Sequence, residues 1–95
     1  MSKSTVKYFT NDNVITFRDD FNEPLDNYID IIRNYSVMTF HYNSSFNKPI
    51  YALPNSLIHL SFGWRFNQII IPIHSLKHLI FDHCFNQNIS LPNYL

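Results

Sequence analysis

LIHLSFGWRFNQII, residues 57–70, decides how this chain folds. Leu60 and Phe62 alternate at period two, which marks a short strand with both side chains on one face. Leu57 stands three residues upstream. Gly63, Trp64 and Arg65 then carry the chain around a corner, and Phe66 returns to the core. Asn67 follows, and Ile70 closes the far side. The unit reads L-x-x-L-x-F-x-x-x-F-N-x-x-I.

Outward from this stretch the same unit recurs. Phe-Asn pairs stand at Phe21-Asn22, Phe46-Asn47, Phe66-Asn67 and Phe85-Asn86, spaced 25, 20 and 19 residues apart. About one such pair is expected by chance at this composition, so the four that occur indicate an internal repeat. Leu25, Ile50, Ile70 and Ile89 each lie three residues after the Asn. Phe17, Phe62 and Phe81 precede the pair by four residues, and Phe40 by six, which predicts a two-residue bulge within Asn43-Ser44-Ser45. Ile15, Met38, Leu60 and Leu79 sit two residues before those Phe. One unit cannot bury its apolar face alone, but stacked units share a continuous core with parallel strands side by side. Backbone groups turned inward at each corner need partners. A carboxamide both donates and accepts, so the recurring Asn predicts a ladder tying one unit to the next.

Composition sets the boundaries. Seven basic and seven acidic residues cancel, which gives no electrostatic case for nucleic acid or an anionic membrane surface. One cysteine, Cys84, excludes an internal disulfide framework and fits a reducing compartment. The polar N-terminus lacks an apolar core for a secretory signal, and the run Ile69–Ile73 is far short of a membrane span. The expected location is intracellular and cytoplasmic. His78, His83 and Cys84 are close in sequence, and His59 falls beside His78 when units are aligned. None of the familiar zinc spacings occurs, so no metal is expected. A single glycine excludes phosphate-cradling loops, and nothing supplies an oxyanion hole or an orienting acid. Neither catalytic residues nor a cofactor is expected.

The unit resembles the leucine-rich repeat and, more closely, the FNIP repeat known from social amoebae and giant viruses of amoebae. LPNSLIHLSFGWRFNQ, residues 53–68, carries the resemblance through Leu53-Pro54, Ser56-Leu57, Leu60, Phe62-Gly63 and Phe66-Asn67. The following unit keeps Pro72, Ser75-Leu76, Leu79, Phe81 and Phe85-Asn86 but has Asp82 in place of the Gly. The resemblance implies a β-rich α/β fold, a short leucine-rich-repeat-like solenoid of about four units, and an interaction scaffold without catalytic residues. It divides the chain into an N-terminal cap over 1–13, degenerate units over 14–45 and clear FNIP-type repeats over 46–95, the last truncated. VKYFT, NDN and VITF, residues 6–17, predict the hairpin of that cap. Leu25, Tyr28, Ile29 and Ile32 fall on one helical face, which predicts a helix over 24–33 with Pro24 in its first turn. Leu91 and Leu95 begin a unit that no further strand completes, so the C-terminal edge is expected to fray, self-associate or receive a partner.

Residues beside the strand core have no packing duty and point onto one face. Aligned units place Val14, Val37, His59 and His78 in one row, Thr16, Thr39, Ser61 and Ile80 in the next, and Arg18, His41, Gly63 and Asp82 in a third. The expected protein-binding surface comprises Thr39, His41, His59, Ser61, His78 and Ile80, with Trp64 at the corner as an aromatic anchor.

Overall fold

The computed structural model describes residues 7–70, 73–82 and 84–87. Five strands form one sheet in sequence order: β1 (Tyr8–Asn11), β2 (Val14–Phe17), β3 (Val37–Phe40), β4 (His59–Ser61) and β5 (His78–Ile80). β1 pairs antiparallel with β2, and every later pairing is parallel. The hairpin turns through Asp12, whose φ of 55° lies in the left-handed region that Asp tolerates better than most side chains.

Inward-facing residues repeat rung by rung. Ile15, Met38, Leu60 and Leu79 are register partners, and so are Phe17 and Phe40. Two columns of Phe run across the sheet. In the strand column Phe17, Phe40, Phe62 and Phe81 stack with centroid spacings of 5.3, 5.6 and 5.6 Å. In the corner column Phe21, Phe46, Phe66 and Phe85 stack at 5.8, 5.8 and 6.1 Å. Within each unit the two rings meet at 4.5, 4.5, 3.9 and 3.7 Å. Each such pair contributes about 0.5–1.5 kcal/mol beyond the area it buries.

The Asn ladder runs alongside. Asn22 Oδ1 accepts the Asn47 N–H at 2.9 Å, Asn47 Oδ1 accepts that of Asn67 at 2.8 Å, and Asn67 Oδ1 accepts that of Asn86 at 2.8 Å. On the far wall Ile50 and Ile70 form a parallel bridge, and Leu25, Leu53, Leu57 and Leu76 are buried.

Corners differ in one place. The N–H groups of Phe21, Phe66 and Phe85 each donate to the carbonyl three residues earlier, on Arg18, Gly63 and Asp82. In the second unit the two extra residues change that pattern. Ser44 N–H takes the His41 carbonyl at 2.9 Å, and the fully buried Ser44 hydroxyl accepts the Phe46 N–H at 3.1 Å. The hydroxyl replaces a backbone carbonyl, so Phe46 keeps its place in the ring column.

The helix predicted over 24–33 is shorter and mixed. Leu25–Tyr28 is a 3-10 turn and Ile29–Ile32 a single α-helical turn, α1. Pro24 precedes the first turn in an extended conformation rather than lying inside it. Tyr28 breaks the run at φ −120° and ψ 4°. Its ring packs edge-on against Tyr8, Phe17 and Phe21, and its hydroxyl donates to Glu23 Oε1 at 3.0 Å. Tertiary partners thus override the local period. Ile89, Leu91 and Leu95, on which the far-wall and C-terminal expectations rest, lie outside the described residues.

Candidate functional site

Strand register assembles the outward face. Val14, Val37, His59 and His78 are successive partners across β2 to β5. So are Thr16, Thr39, Ser61 and Ile80. Alternation forces both rows outward, because the residues between them fill the core. Thr39, His59 and Ser61 are half-buried by their neighbours, while His78 and Ile80 are exposed. The Thr16 and Thr39 hydroxyls lie 2.9 Å apart and share a hydrogen bond. The His59 and His78 ring centroids are 5.5 Å apart, with the planes at 36°.

The third row needs correction. His41 is exposed on the face, but Gly63 is buried. A Cβ built at Gly63 would stand 2.4 Å from the His41 carbonyl and 2.9 Å from Ser44 Cβ. The insertion in the preceding unit fills the space that an outward side chain would need. Gly63 therefore belongs to packing, not to the binding face.

The β1 hairpin adds residues that repeat alignment missed. Phe9 pairs with Thr16 and extends the second row by one rung, 57% exposed. Alternation around Tyr8, whose ring packs against Phe17, was the available signal. Beside it, Phe9, Thr16, Phe17, Arg18, Asp19, Asp20 and His41 line a cavity of about 450 Å³. Arg18 Nε approaches Asp20 Oδ1 at 3.4 Å, and His41 Nδ1 lies 3.9 Å from Asp19 Oδ1.

Trp64 stands at the corner, 40% exposed, with the Arg65 guanidinium 5.6 Å from its ring centroid. Its N–H donates to the Tyr42 carbonyl at 3.0 Å, and its carbonyl accepts the Cys84 N–H at 3.2 Å. The corner thus aligns Trp64 with the exposed Tyr42, which sequence alignment left out because the insertion follows it. Phe21, Phe46, Phe66 and Phe85, with Asn22, Asn47, Asn67 and Asn86, occupy the two ladders and not this face.

Among the described residues no three His, Cys, Asp or Glu side chains converge on one point. Among them also, no helix is long and apolar enough to cross a membrane. His83 lies outside the described residues.

Comparison with known proteins follows the same units. The FNIP Repeat family model matches residues 46–76. No curated protein matches the chain. Among solved structures the chain is similar to CroV588, described as a novel circular LRR protein, at 22% identity and a TM-score of 0.39. That match covers 94% of this chain and 27% of CroV588, so the chain spans about a quarter of its length.

Proposed function

We propose that this chain, whose residues 46–76 match the FNIP Repeat family model, is a protein–protein interaction module without catalytic activity. In this reading the chain is a leucine-rich-repeat-like solenoid of about four units, closed at its N-terminal end by the β1–β2 hairpin. It acts in the cytoplasm and presents the outward face of its strands to a protein partner, with no role in nucleic-acid or membrane binding. One observation carries the proposal: the variable side chains Phe9, Thr39, Ser61, His59, His78 and Ile80 stand in register on one face, while the invariant ones are spent on the ladders. Trp64 and His41 flank that face with exposed aromatic and imidazole surface.

Proximity labelling with the intact chain would supply the partner. Thr39→Arg with Ser61→Arg should then weaken capture of that partner while the fold survives, and Tyr51→Ala, exposed away from the strands, should not. Equal capture by both variants would exclude this face.

A second reading is favoured by burial at β5. Leu79, Phe81 and Phe85 are half-buried, whereas Leu60, Phe62 and Phe66 one rung earlier are buried. In that reading the chain is a structural or remnant repeat fragment that self-associates, or completes a longer repeat protein, through its C-terminal edge. Light scattering over a concentration series tests self-association, and a strict monomer at high concentration argues against this second reading.

A further inference from the structure

We propose that His59 and His78 form a two-histidine chelate for a borderline divalent transition-metal ion of the Zn²⁺ class. This does not depend on the partner-binding reading. The two residues are direct register partners on adjacent parallel strands. Their backbones are fixed on neighbouring rungs, with His59 N–H donating to the Ser36 carbonyl at 3.2 Å and His78 N–H to the Ile58 carbonyl at 3.1 Å. Both rings rise on the outward face, and their centroids are 5.5 Å apart.

That spacing, also the rung spacing of the strand Phe column, is compatible with a chelate. With metal–nitrogen bonds of about 2.0–2.1 Å and tetrahedral angles, two imidazole centroids around one ion stand roughly 5.2 Å apart. The ring planes meet at 36°, so chelation requires side-chain rotation that turns one nitrogen of each ring toward a common point. Imidazole selects Zn²⁺, Cu²⁺ and Ni²⁺ over the hard cations Ca²⁺ and Mg²⁺, which prefer oxygen. The next residue in the row is Val37, and the row below holds Ser61 and Ile80. None of these three described neighbours supplies a further imidazole, so water would complete the coordination. The two His are 19 residues apart and stand side by side because one repeat separates them.

Isothermal titration of the full chain with Zn²⁺ alone tests the site. One ion should bind per chain. His59→Ala and His78→Ala should each weaken binding at least about tenfold, because a lone imidazole loses the second ligand held at high effective concentration. His41→Ala, on the same face, and Cys84→Ser should bind as the parent does. Histidine side-chain NMR of the unsubstituted protein gives a second readout that no folding defect can obscure: Zn²⁺ should shift the His59 and His78 imidazoles together. The proposal is overturned by the absence of Zn²⁺ binding, by binding that survives either alanine variant unchanged, by its loss in Cys84→Ser, or by shifts confined to the other histidines.

Discussion

At Gly63 one corner passes directly under the insertion of the unit before it. A methyl group there would meet the His41 carbonyl at 2.4 Å and Ser44 Cβ at 2.9 Å. The first of these is backbone, so no side-chain rotation relieves it. Gly63→Ala should destabilise the chain by about 1–3 kcal/mol, the range for overpacking a filled site, and urea denaturation should show a lower midpoint. An unchanged midpoint would mean that the corner yields. Ser44 explains why the demand falls on this unit. Its buried hydroxyl takes the Phe46 N–H that a carbonyl takes in the other corners. Chemistry at single residues thus absorbs an irregular spacing without moving the rings.

At the scale of elements, the β1–β2 hairpin is tied to the 3-10 turn by a small polar cluster. Lys7 Nζ lies 2.9 Å from Glu23 Oε2, and Tyr28 donates to the other carboxylate oxygen. The hydrogen bond from Lys7, and after it that from Tyr28, holds the Glu23 carboxyl below its ordinary value of 4.5. The same contact raises Lys7 above 10.5. Burial, followed by the bond to Glu23, raises Tyr28 above 10.0. A depressed carboxyl stabilises the fold above its unfolded value, and that contribution is lost as pH falls through the folded value. Raised Lys and Tyr groups stabilise below their unfolded values, and theirs is lost as pH rises. The cluster therefore supports the hairpin from just above pH 4.5 up to about pH 10. Melting temperatures across pH should fall at both ends of that window, and Glu23→Gln should flatten the acid limb. Because Lys7 and Glu23 are solvent-exposed, salt should blunt the effect. An acid limb identical in the variant would assign it to other groups.

For the molecule as a whole, stability rests on the two Phe columns acting as one core. Phe66 contacts Phe62 at 3.9 Å, Phe46 at 5.8 Å, Phe85 at 6.1 Å and Phe81 at 6.3 Å. Phe66→Ala should cost about 3–5 kcal/mol. That approaches the whole stability of a domain this small, at the low end of about 5–15 kcal/mol. Circular dichroism should show loss of the cooperative melt near room temperature, while Tyr51→Ala melts normally. A near-normal melt for Phe66→Ala would sink the shared-core picture.

The sequence by itself determined the rungs. Leu60, Phe62, Phe66, Asn67 and their counterparts recur at matched positions because each must meet its own kind one unit away. Stacking turns that demand into a visible period, and the outward rows follow from alternation. Alternation alone misplaces Gly63, because its constraint comes from the His41 carbonyl and Ser44, 22 and 19 residues earlier. Phe9 and the cavity beside it were missed because β1 carries no repeat and gains its rung only by antiparallel pairing. The helix near Leu25 was overdrawn because Tyr28 answers to Phe17, Phe21 and Glu23 rather than to its local period. Repetition is legible along a chain; contacts between unlike residues from different units exist only once the chain has folded.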